Sequence, residues 1–309
     1  MLTRSKVYRS VAITILFALF TNKSACQEYI DLVKISYSIS PSNTFDASEE
    51  KTTINQFNGD VTLPIQVNDR VTFLTGSSYE RVEGAFNVSE RRSSVSSILF
   101  KLGTNLKMNS KWSGMFLFLP KLASDMKDIS SQDFQIGGVG LLKYKKSRFL
   151  NYKFGLYSNR ESFGTMLVPV AGLYYQDRTE RLEINALLPV SANINYSLVD
   201  QFRIGLNFKG EVRSYDLADQ LYTIKDRYIT RSTNEVSVYG HYEFKNNVNV
   251  KLGLGYSVGR SFRMYDEKVK LGIPLTYIGD QRNQINSDLS DGWIIDFSLF
   301  YRFHFDSSK

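Results

Sequence analysis

The feature that most constrains this chain is an alternation of apolar and polar residues, sustained over segments of roughly 9–13 residues and repeated along its length. Val248, Val250, Leu252, Leu254, Tyr256 and Val258 alternate with Asn249, Lys251, Gly253, Gly255, Ser257 and Gly259. Phe202, Ile204, Leu206 and Phe208 alternate with Arg203, Gly205, Asn207 and Lys209, and Val236, Val238, Tyr242 and Phe244 with Glu235, Ser237, His241 and Glu243. Near the C-terminus Trp293, Ile295, Phe297, Leu299, Tyr301, Phe303 and Phe305 alternate with Ile294, Asp296, Ser298, Phe300, Arg302 and His304. Near the N-terminus Val33, Ile35, Tyr37 and Ile39 alternate with Lys34, Ser36 and Ser38. A period of two is the signature of a strand. Strands of a soluble sandwich average five or six residues and keep their charged face in water. A strand tilted across a bilayer needs about 9–11 residues, with its apolar face toward lipid.

The connections repeat as well. Short polar links at residues 67–70, 105–110, 145–148, 176–181, 199–201 and 245–247 alternate with mostly longer polar stretches at 41–59, 76–93, 120–133, 215–234 and 265–290. Outer-membrane barrels show this asymmetry, with short periplasmic turns and long outer loops. Adding shorter outer loops at 158–164 and 189–192 predicts fourteen antiparallel strands with both chain ends periplasmic. Twelve is the alternative if neighbouring segments, such as 182–188 and 193–198, are not separate strands. The expected fold is all-β: a single transmembrane up-and-down barrel over residues 27–309, with no second domain.

The first 26 residues read as an export signal. Arg4, Lys6 and Arg9 precede the largely apolar run at residues 11–20, followed by a short polar stretch ending at Cys26. Ten such residues are too few to span a bilayer as a helix. Cleavage after Cys26 leaves Gln27 first and a mature chain without cysteine. The rival reading, lipid attachment at Cys26, would normally want an apolar residue where Lys23 stands. Removing four basic and no acidic residues lowers the formal charge from +7 to +3. No basic, aromatic-interleaved tract follows, so nucleic acid is not an expected partner. One Cys and two His leave no basis for a thiolate or histidine metal centre, and no cofactor is expected. Aromatics at 14%, with 21 Phe and 19 Tyr, rule out disorder.

The stretch from Gly137 to Tyr215 contains GGVGLLKYKK, NYKFGLYSNRESFGTMLVPVAGLYY, INALLPVSANINYSL and FRIGLNFKGEVRSY. It resembles a family of Gram-negative, Bacteroidota-type outer-membrane barrels of unknown function. The resemblance extends over about Asp31 to Phe305 and implies a barrel in the cell outer membrane. It brings no catalytic residues. The final strand, carrying Trp293, Phe297, Tyr301, Phe303 and Phe305, is similar to the C-terminal assembly signal of such proteins, although Asp306-Ser-Ser-Lys309 follows its last aromatic. The partners expected of such a barrel are outer-membrane lipid and lipopolysaccharide and the barrel-assembly machinery, with a small polar solute as an option for the lumen.

Candidate functional residues then fall in the lumen. Lys34, His241, Glu243, Lys251, Arg302 and His304 lie at periplasmic ends of strands that adjoin once the barrel closes. They predict a mixed-sign polar cluster. Arg203, Lys209, Glu211, Arg213 and Asp296 are further expected lumenal charges. Gly253, Gly255 and Gly259, like the 137–140 glycines, read as lumenal positions where side chains crowd. Ser237 and His241 are about 13 Å apart along one strand at ~3.3 Å per residue, too far for a nucleophile–base pair. Residues 280–292 (DQRNQINSDLSDG) fit no calcium loop and read as a solvated loop. Trp112, Tyr157, Tyr174, Tyr175 and Trp293 fit interfacial girdles. The function expected from these features is a passive or weakly selective channel. A structural or surface-interaction barrel with a filled lumen is the alternative, and an outer-membrane lipid hydrolase comes third.

Overall fold

The computed structural model describes residues 29–46, 48–88, 92–218, 227–266 and 282–304; the segment read as an export signal, Phe305 and the His304 side chain lie outside the described residues. Fourteen strands follow in order: β1 Tyr29–Phe45, β2 Ser48–Gln66, β3 Val71–Gly84, β4 Ser93–Lys107, β5 Trp112–Ser124, β6 Phe134–Lys145 and β7 Leu150–Glu161. Then come β8 Gly164–Gln176, β9 Leu182–Leu188, β10 Ser191–Val199, β11 Phe202–Asp216, β12 Tyr228–Glu243, β13 Val248–Tyr265 and β14 Trp293–His304. Each strand pairs antiparallel with its sequence neighbours, and β1 pairs with β14, so the sheet closes as an up-and-down barrel. The twelve-strand alternative falls, because β9 and β10 are separate strands paired from Ser191–Leu187 to Tyr196–Leu182.

Alternation sets the two faces. Val33, Ile35 and Tyr37 on β1, Leu206 on β11, Leu252 and Leu254 on β13, and Trp293, Phe297, Leu299 and Tyr301 on β14 are all exposed on the outside. Trp112 and Tyr175 join this outer surface. Tyr157 and Tyr174 do not: each is one residue out of phase with outward Leu156 and Tyr175, so both point inward, and Tyr174 is buried. That corrects their placement in a girdle.

The strands also run longer than the alternation suggested. β2 has 19 residues, and most of the polar stretch expected as loop at 41–59 belongs to the β1–β2 hairpin. The same holds for residues 76–84 of β3 and 228–234 of β12. Beyond the apolar outer belt, polar residues on a strand meet water at no cost, so polarity alone does not separate strand from loop there.

The wall is uneven. β9 has 7 residues and β10 has 9, against 13 in β8 and 15 in β11. Their hairpin turns at Pro189 and Val190, where the Gly210 N–H donates to the Val190 carbonyl at 2.9 Å. Above that level β8 and β11 have no strand between them. β11 answers by leaning across the lumen: Asp216 pairs with Ser124 of β5, and the Asp125 N–H donates to the Asp216 carbonyl at 3.0 Å.

Adjacent residues on β11 test the assignment of faces. Leu206 is 50% exposed on the outer face, and Asn207 points inward, beside Asn193. Leu206→Arg is expected to cost about 2–4 kcal/mol of folding free energy in lipid, measured by urea titration in vesicles. Asn207→Arg is expected to be far better tolerated. Equal costs would mean the faces are reversed.

Candidate functional site

The inward faces divide the lumen into a polar and an apolar wall at mid-height. Lys34 on β1, Asp60 on β2, Lys101 on β4, Lys209 on β11, Lys251 on β13 and Asp296 on β14 form the polar side. Lys101 bonds Asp60 at 2.5 Å and Thr62 at 2.9 Å, and Lys209 bonds Glu211 at 3.1 Å. Lys34 feels the charges of Asp31, Lys209, Asp296 and Asp60, and Lys251 those of Lys34 and Asp296. Neither lysine makes an ion pair among the described residues, though Lys251 Nζ lies 4.1 Å from the Tyr239 ring centroid. Across the lumen, Leu117, Leu119, Val139, Leu141, Val170 and Leu187 face inward from β5, β6, β8 and β9, opposite in phase to exposed Phe116, Phe118 and Leu142.

Above this compartment an ionic crossbar spans the barrel. Glu80 on β3 accepts from Arg213 on β11 at 2.9 Å, from Gln56 on β2 at 2.8 Å, and from Arg231 on β12 at 3.4 Å. The Tyr215 hydroxyl also donates to Glu80. Arg231 reaches Gln56 Oε1 at 2.7 Å and Glu211 at 3.3 Å, and Glu211 pairs with Arg213. Arg231 also reaches Glu235 at 3.5 Å. Glu80, Glu211 and Glu235 thus meet Lys209, Arg213 and Arg231, while buried Arg260 beside them bonds Ser40 Oγ at 2.8 Å and Asn43 Oδ1 at 2.6 Å and makes no ion pair among the described residues. The space between Gln56, Arg231, Glu235 and Arg260 amounts to about 20 Å³, room for one water and no solute.

An apolar layer seals the end of the barrel above the crossbar, the end expected to face outward. Ile54, Val82, Val95 and Ala123 from one wall meet Tyr215, Ile229, Phe262 and Met264 from the leaning wall. The Phe86 and Phe262 rings stack with centroids 5.1 Å apart. Buried Asn286 donates to the carbonyls of Phe86 at 2.7 Å and Phe262 at 2.6 Å, and accepts from the Met264 N–H at 2.7 Å. Leu289 is part of this layer. The segment read as a solvated loop is therefore, over residues 282–292, a cap on the mouth. Asp280 and Gln281 lie outside the described residues.

At the opposite end, the one expected to face the periplasm, the expected single cluster is divided. Glu243 pairs with Arg203 at 3.0 Å, and Arg302 with Asp31 at 2.8 Å. His241 Nε2 meets Asn249 Oδ1 at 2.8 Å, and its ring lies against Phe300. Lys34 and Lys251 sit higher, in the mid-lumen, and His304 pairs with Tyr29 through the β14–β1 ladder. The bridging element is one the sequence reading missed. The Tyr29 hydroxyl crosses to Glu183 on β9 at 2.7 Å, with the Arg302 guanidinium 3.7 Å from the Tyr29 ring centroid. The adjacency of β11 and β12, in which Phe202 pairs with Tyr242, is the signal that would have placed Arg203 beside Glu243. Glu80 was missed because residues 76–93 read as loop, although Ser78, Glu80 and Val82 keep the strand period.

Gly253 and Gly255 are lumenal and crowded. A Cβ on Gly253 would meet the Asp296 carboxylate, and one on Gly255 would meet Ser237 Cβ at 2.9 Å. Gly259 is different. Its φ of +67° sits where the β12–β13 register shifts, and it turns Arg260, Phe262 and Met264 inward instead of continuing the even-numbered outer face.

Glu80→Gln would leave Arg213 and Arg231 short of one carboxylate in a buried site, an expected loss of about 3–5 kcal/mol in detergent unfolding. Glu83→Gln, at an exposed pair with Arg92, is expected to cost no more than about 1 kcal/mol. Similar small losses for both would contradict a closed crossbar.

Among solved structures, the barrel is similar to an outer membrane channel from Pseudomonas putida, with 9% identity, a TM-score of 0.46, and 88% of this chain and 94% of that one covered. It is also similar to the Pseudomonas putida toluene transporter TodX, with 9% identity, a TM-score of 0.40 and 94% of each chain covered. The NanC porin follows at 8% identity and a TM-score of 0.35, covering 87% of this chain and 98% of that one. No curated protein sequence matches the chain. A family model described as a domain of unknown function, DUF6268, matches residues 24–272, and the chain belongs to that family.

Proposed function

We propose that this chain, exported by its first 26 residues, is an outer-membrane channel or transport barrel for small anionic solutes, held here with its outer mouth closed. The observation that carries the reading is the position of the uncompensated charge. The crossbar and the periplasmic belt are built of paired groups, as buried charges in a sealed interior must be. Lys34 and Lys251 make no ion pair among the described residues; Asp296 acts on both, while Lys101 and Lys209 beside them are held by Asp60 and Glu211, so the polar wall keeps one positive charge in excess. A lumen that served only as filler would gain nothing from such lysines, whereas a site that receives an anion needs them. A catalytic role has less support, since His241 is bonded to Asn249 and no serine is among its hydrogen-bond partners in the described residues.

The crossbar and apolar seal favour a second reading, a structural barrel with a closed lumen. Planar-bilayer conductance separates the two. Wild-type protein, recovered from the outer-membrane fraction as a heat-modifiable band, is expected to conduct little. Phe86→Ala with Phe262→Ala, which thins the seal, combined with Glu80→Ala and Arg213→Ala, which take one balanced pair out of the crossbar beneath it, should open a pore that prefers anions. Adding Lys34→Glu and Lys251→Glu should reverse that preference. A thinned barrel that still conducts nothing, or one indifferent to both lysines, would leave the structural reading standing.

A further inference from the structure

The outer end offers no axial exit, but the wall has a weak place just above the mid-lumen, at the level of the crossbar. Above the Pro189–Val190 turn, residues 164–170 of β8 and 211–214 of β11 have no strand between them. This leaves roughly 20 Å of strand edge at ~3.3 Å per residue. No backbone hydrogen bond among the described residues joins the two edges. Pro169, within the β8 edge, has no N–H to give a neighbour. In hydrocarbon, facing edges without a ladder are the costliest feature a barrel can carry.

Side chains close the gap instead. Met166 and Val168, on the inner face of β8, pack in one cluster with Val212 and Tyr228, which point to the outer side of β11 and β12. Inner face meets outer face, so β11 is tucked behind β8 and the wall overlaps like a lapped seam. Polar contacts latch its upper end. Ser214 donates to Glu161 Oε2 through its N–H at 2.7 Å and its hydroxyl at 2.6 Å, and accepts from the Ser162 N–H at 2.7 Å. The lumenal apolar wall runs into this seam without interruption, from Val139 and Val170 through Tyr157 and Val168 to Met166.

We infer that the seam between β8 and β11 is a lateral passage between the lumen and the outer leaflet, used by amphiphilic anions. The anionic group would rest against Lys34, Lys209 and Lys251, with its alkyl portion along the apolar wall that leads into the seam. A seam closed by side chains opens by repacking them and releasing Ser214 from Glu161 and Ser162, with no ladder hydrogen bond to break. The inference rests on the channel reading for the anion site and adds the route and the apolar half of the cargo.

The backbone nitrogen of Ser162 lies 2.7 Å from Ser214 Oγ, and Ser162 Oγ is buried without a hydrogen bond, so a cysteine pair at these positions is within disulfide reach. The only native cysteine, Cys26, lies in the signal. The full mature chain in liposomes would be given pyrene-labelled dodecanesulfonate, whose permanent charge blocks unaided crossing, and its movement out of reach of external albumin would be followed. Wild type is expected to move the probe faster than protein-free vesicles do. Ser162→Cys with Ser214→Cys should fall to the protein-free rate when oxidised and recover on reduction. Val212→Ala, which loosens the seam and leaves every ladder intact, should speed transfer about threefold. Transfer unchanged by the disulfide, or slowed by Val212→Ala, would overturn the seam. If the locked barrel with the thinned outer seal still conducts anions, the channel reading survives that failure; if it does not, both fall together.

Discussion

A backbone amide in hydrocarbon can bond only to a neighbouring strand, and the rest of this structure depends on how one short hairpin strains that constraint. β9 and β10 are about half the length of the strands beside them, which leaves β8 and β11 with bare edges above the Pro189–Val190 turn. A regular cylinder would expose those edges to lipid. The upper parts of β11 to β13 lean inward instead, β11 reaches β5 at Asp216, and the outer face of the leaning wall takes cover behind β7 and β8. Closure of the outer mouth is thus a consequence of the wall's shape. Loops complete it through Asn286 and Leu289.

The lean brings charges from opposite walls into contact, and their arithmetic decides whether it can persist. Glu80 and Arg213 lie on strands six steps apart around the barrel, yet they bond at 2.9 Å. Burying such a pair is costly, and the cost is offset only when every lone pair and proton finds a partner. Glu80 comes near that condition, with Arg213, Arg231, Gln56 and Tyr215 around its two oxygens. The mid-lumen lacks this completeness. Lys34 and Lys251 are therefore set apart chemically from the charges above and below them.

Much of the barrel was legible in the sequence, because within the bilayer each residue has one of two environments and the alternation reports which. The outward faces of β1, β11, β13 and β14 follow from that alone, and the strand number from that together with the short polar links. Reading fails where lipid no longer imposes the pattern. Residues 76–84 and 228–234 are polar strand in a region where polar loop would look the same. Gly259 hides a bulge that only its positive φ reveals. Tyr157 and Tyr174 were misread because aromatic character was weighed above phase. Cross-lumen partners such as Tyr29 with Glu183, or Glu80 with Arg213, depend on barrel closure and lean, which no local pattern encodes.

The functional account rests on a mid-lumen compartment with an unequal pair of closures: two layers at the outer mouth, and a belt at the periplasmic end bridged by the Tyr29–Glu183 hydrogen bond. Ser36 lies inside that compartment, on the lumenal face between the ladder partners Ser298 and Asn58. The most direct measurement is the reaction of Ser36→Cys with a charged, membrane-impermeant thiol reagent, applied either outside intact cells or to the periplasmic face. The account predicts labelling from the periplasmic face and none from outside. Equal labelling from both sides would contradict a sealed outer mouth, and protection from both would contradict a solute compartment.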